Sequence, residues 1–246
     1  MAVTAAQIKA SLSALGIVPG ATVLVHASLK SFGAVDGGAA AIVDALQGAV
    51  GPAGTLIAVT LSKLDEQNPV FDVRKTPSIC GAVSTELMTR PEAVRSLHPL
   101  SSAAALGGEA GKICQGHEDS PTPCGPATPY GRVFLHGGSV LFLGAPFTSN
   151  SLFHVAEEIA DGSFDWAEFR WSRLEQDSTG KSVPDTLGAL PHEKRYLKYK
   201  TIPRARIINS FGVEIIRDVR RYDCQQTGIH RHLGKLESVY ESHGAL

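Results

Sequence analysis

Residues 22–60 constrain the fold more than any other part of the chain. "TVLVHAS" (22–28) is a short apolar run rich in β-branched residues. A glycine-bearing loop, "LKSFGAVDGG" (29–38), follows it. "AAAIVDALQGAV" (39–50) then sets Ile42, Val43, Leu46 and Val50 at helical spacing. "GPAG" breaks that helix, and "TLIAVT" (55–60) is a second apolar run. Strand, loop, helix and strand in that order make a βαβ unit, whose two strands pair in parallel.

The rest of the chain extends this plan. Thr4 followed by Gln7 is a capping-box pattern, after which Ile8, Leu12 and Leu15 share a helical face and Gly16 stops the helix. "STELMTRPEAVRS" (84–96) predicts a helix interrupted at Pro91, and "SAAALGGEAGKIC" (102–114) a short one. Residues 115–130, rich in Pro, Gly and Thr, predict a long loop. "RVFLHGG" (132–138) leads into a buried strand, "SVLFLGA" (139–145), and then a helix opening at "NSLFHVAEEIA" (150–160). "RWSRLEQ", "YLKYKTIP" and "ARIINSF" read as later strands or edges, and "HLGKLESVYESHG" as a helix. The expected fold class is α/β: a three-layer αβα-like single domain over 1–246 with a central, mostly parallel or mixed sheet.

Composition narrows the functional classes. Net charge is −1, so no global field points to nucleic acid, and no apolar run approaches the ~20 residues of a membrane span. The N-terminus lacks the plan of a signal peptide, and Cys80, Cys114, Cys124 and Cys224 form no CxxC pair. A cytoplasmic location, no metal, and a homo-oligomeric state left open are the expectations.

Several constellations can carry chemistry. The loop "SLKSFGAVDGG" (28–38) between strand and helix can direct N–H groups and Lys30 at a phosphate. It matches neither a Walker loop nor a dinucleotide fingerprint, and Asp36 before the helix would oppose a phosphate, so a plain βα connection competes. "RSLHPLSSAAALG" (95–107) lets a ligand approach the backbone, or else Ser101 or Ser102 simply caps an alanine-rich turn. In the helix at 150–160, Ser149, Asn150 or Ser151 can cap, and Leu152, Ala156 and Ile159 form the inward stripe. His154 lies off that stripe, with Glu157 and Glu158 at i+3 and i+4, within reach to orient it as a base. The competing reading is an exposed histidine on a solvated acidic face. Glu157, Glu158, Asp161, Asp165 and Glu168 form an acid-only run, whereas residues 192–221 are mostly basic. The first would suit a cationic amine, the second a phosphate. Cys80 and Cys124 lack a nucleophile signature, and His230-x-His232 is a weak metal signal.

Four ordered blocks resemble the aminoglycoside 3-N-acetyltransferase family. They are "VLVHASLKSFGAVDGGAAAIVDALQGAVGPAGTLIAVT" (23–60), "VRSLHPLSSAAALG" (94–107), "GPATPYGRVFLHGGSVLFLGAP" (125–146), with Thr128 in the family's serine position, and "LFHVAEEIAD" (152–161). The resemblance implies an α/β fold that transfers an acetyl group from acetyl-CoA to an amine of an aminoglycoside. It implies that Ser28, Leu29, Lys30 and Ser102 lie along coenzyme A, that His154 is the general base, and that Glu157 is its carboxylate partner. Residues 1–161 would bind coenzyme A and carry catalysis. Residues 162–246, which match the family poorly, would shape the acceptor pocket, with Asp161 and Asp165 as its acidic contacts. Residues 61–78 are charge-balanced, where a site for a polycation would be acidic. The alternatives are therefore an N-acyltransferase for another amine such as a nucleotide-linked amino-sugar, a non-catalytic coenzyme A or nucleotide-binding homologue, and a Cys-His hydrolase.

Overall fold

The structure is a computed structural model describing residues 2–63, 70–120, 122–146, 149–163, 199–208 and 214–222; the side chains of Glu157, 159–163 and the last two segments lie outside that description. In chain order it contains α1 (Ala5–Ala14), β1 (Thr22–Ala27), α2 (Gly38–Val50), β2 (Thr55–Val59), β3 (Val70–Asp72), α3 (Ala82–Thr89), β4 (Val94–Arg95) and β5 (Ala103–Gly107). Then follow α4 (Ala110–Cys114), α5 (Pro129–Leu135), β6 (Ser139–Leu143), α6 (Leu152–Ser163), β7 (Tyr199–Ile208) and β8 (Glu214–Tyr222). The expected helix in "HLGKLESVYESHG" and the strand in "RWSRLEQ" lie outside the described residues.

The βαβ unit forms as expected. β1 pairs in parallel with β2, Thr22 opposite Thr55, and on its other side in parallel with β6, Val23 opposite Ser139. β5 runs antiparallel to β2, and β4 antiparallel to β5, giving a mixed five-stranded sheet in the order β4-β5-β2-β1-β6. Alternation along each strand feeds two cores. Val23, Val25, Leu56, Ala58, Ala104, Leu106, Leu141 and Leu143 cluster with residues of α1, α2 and α3. Leu24, Ile57, Val59, Ala103 and Ala105 cluster with Ile113 of α4, Val133 of α5, and Leu152 and Val155 of α6. This is a three-layer αβα arrangement. Leu24, fully buried in a central strand, would cost about 2–5 kcal/mol if cut to alanine.

Local chemistry sets the element ends. Gln7 N–H donates to Thr4 Oγ1 and Thr4 N–H to Gln7 Oε1, completing the capping box of α1. Leu15, expected on the inward face, is instead 62% exposed as the C-cap residue. Thr128 caps α5, accepting from Gly131 N–H at 3.2 Å, with Pro129 at the first helical position. That pair makes a helix of most of "RVFLHGG", expected only to lead into the strand.

Two expectations are corrected. The alanine run 103–107 is strand β5, not a helix; only 110–114 is helical. Alanine favours helices, but Ala103, Ala104 and Ala105 are fully buried between β4 and β2 with a core on each face, and tertiary packing overrides propensity there. "YLKYKTIP" and "ARIINSF", expected as separate later strands or edges, share one strand, β7, which pairs antiparallel with β8 and joins β3 in a separate three-stranded sheet. Arg95 of β4 lies 4.8 Å over the Phe71 ring of β3, so the first sheet touches the second there.

Candidate active site

β1 and β6 are parallel neighbours, so their carboxyl ends deliver the two sequence candidates to one edge of the sheet, where open α/β folds place ligands. β1 ends in the Ser28 loop, a single 3-10 turn over Leu29–Phe32. β6 ends at Gly144 and feeds α6. Ser28 N–H donates to Leu143 O at 2.9 Å, and Ser31 Oγ donates to Gly144 O at 2.8 Å while lying 3.0 Å from Ser28 Oγ. Gly144 has φ +66°, and a Cβ there would stand 2.5 Å from Ser31 Cβ, so the joint requires glycine. Ser28 and Leu29 are half-buried, and Lys30 and Ser31 face solvent. Gly37, in a left-handed conformation, is the N-cap of α2; Asp36 does not cap it.

The first turn of α6 is closed by named acceptors. Asn150 Oδ1 accepts Leu152 N–H at 3.0 Å, and Asn150 O accepts Phe153 N–H at 3.3 Å. Ser151 O accepts His154 N–H at 3.2 Å. Ser151 N–H itself donates to His26 Nε2 at 3.3 Å. Asn150 Nδ2 is buried without a partner. Leu152 and Ala156 are buried as expected, together with Phe153 and Val155, and His154 is half-buried. Glu158 accepts from Thr122 Oγ1 and, at 2.9 Å, from Cys124 N–H, which ties α6 to the loop before α5. The side chains of Glu157 and Asp161, and all of Asp165, lie outside the described residues, as do the side chains of Arg204 and Arg206.

Ser102 is an interior residue in this structure. It stands at the carboxyl end of β2, beside Thr60, but is fully buried. Its Oγ donates to Thr60 O at 2.7 Å and accepts from Arg95 Nε at 3.0 Å, so its hydroxyl is engaged inside the protein. Arg95, 8% exposed, also reaches Thr76 O at 2.5 Å, Thr60 O at 3.2 Å and Ser62 Oγ at 3.1 Å. Burial pulls its guanidinium down to about 10. The "RSLHP" block is largely interior architecture. Ser96 Oγ bonds His117 Nδ1 at 2.8 Å, and His117 Nε2 donates to Pro123 O at 2.9 Å. His98 Nδ1 accepts Ser101 N–H at 2.9 Å. Burial pushes both rings toward the neutral form: His98 is lowered to about 4, and His117 well below the ordinary range.

Sequence reasoning missed His26. It is 7% exposed, stacks on Phe142 with centroids 5.3 Å apart and planes 12° apart, and burial lowers it to about 4. The only signal was a histidine inside an otherwise apolar strand, in "TVLVHAS". Among the described residues the thiols are poor nucleophiles: burial raises Cys80, and lifts Cys114 to about 12, while Cys124 is 3% exposed. Among the described residues, no group of three His, Cys, Asp or Glu could hold a metal ion, and no helix is long and apolar enough to cross a membrane.

The chain as a whole has relatives of known kind. An aminoglycoside N(3)-acetyltransferase III of Serratia marcescens is 39% identical over 175 residues, 64% of this chain and 65% of that one. The chain thus matches slightly under two-thirds of that relative's length. The crystal structure of the aminoglycoside acetyltransferase AAC(3)-Xa superposes with a TM-score of 0.70 at 30% identity, over 91% of this chain and 73% of that one. AAC-IIIb, solved with CoASH, shares the fold, with a TM-score of 0.71 at 24% identity over 99% of this chain and 86% of that one. A family model described as aminoglycoside 3-N-acetyltransferase matches residues 24–211, taking in the loop, the helix and His154 alike, and the chain belongs to that family.

Proposed function

We propose that the protein transfers an acetyl group from acetyl-CoA to an amine of an aminoglycoside. The observation that carries this reading is the joint between the Ser28 loop and the β6–α6 connection, which sets the loop and His154 at one sheet edge. Lys30, exposed on that loop, is a cation suited to the phosphates of coenzyme A, and half-buried Leu29 suits the less polar arm. The CoASH held by the AAC-IIIb neighbour makes the same donor the first to test.

In the proposed reaction His154 takes a proton from the acceptor nitrogen as that nitrogen attacks the thioester carbonyl. The new C–N bond forms, the oxyanion collapses, the C–S bond breaks, and the proton passes to the departing thiolate. Glu157, at i+3 from His154, steadies the imidazolium. Asp161 and Asp165 belong to the acidic rim that draws in the cationic acceptor. No acyl-enzyme forms, in keeping with the burial of Cys114 and Cys124 and the raised thiol of half-buried Cys80.

The test is release of free thiol from acetyl-CoA against a panel of aminoglycosides, amino-sugars and nucleotide-linked amino-sugars. Turnover on aminoglycosides alone supports the reading, and turnover only on another amine replaces the acceptor. His154→Ala should lower kcat by ~10²–10⁴-fold. Wild-type turnover in that variant would remove His154 from the base role. Asp161→Asn and Asp165→Asn should raise KM for the acceptor and flatten its salt dependence, with kcat nearly unchanged.

A further inference from the structure

We propose that His26 is a positioning residue for His154, acting as the fixed hydrogen-bond acceptor for the first turn of α6. The inference rests on the acetyl-transfer reading above for its catalytic consequence, and on geometry alone for its structural one.

His26 sits at the carboxyl end of β1, in register with Phe142 of β6 and stacked on its ring. Ser151 N–H points at its Nε2, a contact 125 residues apart in sequence. An N–H can donate only to a ring nitrogen that carries no proton, so His26 is the Nδ1–H tautomer. Burial keeps the ring neutral and therefore keeps the lone pair available. The other amides of that turn have acceptors within the turn itself, Asn150 and Ser151. The His26 bond ties a backbone amide of the turn directly to a side chain of the sheet, beside the apolar packing of Leu152 and Val155 on the sheet's core. His154 follows Ser151 by three residues, about one turn into the same helix, so the position of its backbone follows from where Ser151 is held. A displacement of about 1 Å at a catalytic group is enough to cost on the order of 10²-fold in rate.

Two variants separate the parts of this residue. His26→Phe keeps a flat ring to stack on Phe142 but leaves Ser151 N–H without an acceptor. His26→Gln loses the stack but brings Oε1 to the reach of Nε2, restoring an acceptor. Steady-state kinetics on the best acceptor should show kcat falling about 10²-fold in the Phe variant, with KM for both substrates unchanged, and recovering to within roughly fivefold of wild type in the Gln variant. Equal losses in the two variants, or wild-type kcat in the Phe variant, overturn the proposal, because the acceptor is then not what matters. Amide hydrogen exchange at Ser151 gives a readout independent of turnover. Protection should be lost in the Phe variant and kept in wild type and the Gln variant; equal protection in all three overturns the proposal even if the protein acetylates nothing. If instead protection follows the acceptor but no amine is acetylated by the wild type, the positioning bond stands and the acetyl-transfer reading fails.

Discussion

Lowering the pH from 7 to 5 should destabilise this protein more than its net charge of −1 suggests. His26, His98 and His117 are all buried in the neutral form. Their unfolded pKa is about 6.5, above the folded value in each case. The unfolded chain therefore takes up protons first. The stability these rings contribute is complete above pH ~6.5 and is lost as the pH falls through the folded values, about 4 for His26 and His98. At pH 5 that loss is about 2 kcal/mol each for His26 and His98, and His117 shifts stability in the same direction. Against a typical total of ~5–15 kcal/mol this is a large fraction. Urea denaturation followed by far-UV circular dichroism, at constant ionic strength from pH 7.5 to 5, measures it. His98→Asn is the informative variant, since Oδ1 can accept Ser101 N–H in place of Nδ1 but does not titrate. That variant should be less stable at pH 7, because it leaves a small cavity, yet its slope with pH should be shallower by about 1.2 kcal/mol per pH unit between pH 5 and 6. Stability that is flat from pH 7 to 5, or an unchanged slope in His98→Asn, would refute the assignment of these rings as neutral and buried.

Other consequences follow from the site. Gly144→Ala forces a side chain into a left-handed conformation against Ser31, so KM for acetyl-CoA should rise more than KM for the acceptor, and Tm should fall by several degrees, roughly 2–4 °C per kcal/mol; an unchanged KM for acetyl-CoA would separate the joint from the donor site. Lys30→Ala should weaken coenzyme A roughly 2–5-fold, as befits an exposed ion pair, and leave dephosphorylated pantetheine analogues unaffected, a contrast calorimetry can read directly. Cys80→Ser and Cys124→Ser should keep most activity, and intact mass after incubation with acetyl-CoA alone should not change; an acetyl adduct on either thiol that disappears when acceptor is added would establish a ping-pong route.

What the sequence disclosed was mostly what is local. Each strand of the βαβ unit carries its own apolar pattern, and the capping box of α1 lies within four residues, so both were readable without tertiary knowledge. Alanines 103–105 were not. Their side chains carry little strand signal, and only their place between β4 and β2, with a core on each face, makes them strand. The pairing of β3 with β7 was illegible for a similar reason: β3 has three residues, too few for any periodicity, and its partner begins 127 positions later than Asp72.

The candidate site divides along the same line. His154 was legible because its helix, cap and neighbouring acids are consecutive, and the Ser28 loop because a strand end and a helix start bracket it. The burial of Ser102 was not legible because its hydroxyl is claimed by Arg95, seven residues before it, and by Thr60, forty-two before. A serine among small residues looks open until a buried guanidinium is found against it. His26 was overlooked because a histidine in an apolar strand is ordinarily a satisfied core residue, and its partner Ser151 lies on another strand's exit. These two cases argue one point from opposite sides. On the proposed reading, side chains inside the strand ends and the buried turn between them hold the geometry at the carboxyl edge of this sheet, and side chains on the first turns after the strands are the ones proposed to meet the ligand. By that rule His26 belongs with Arg95 and Ser102 as support, and Lys30 and His154 belong to the working face. The rule predicts that supporting variants lower kcat without changing substrate affinity, and that a Lys30 variant does the reverse.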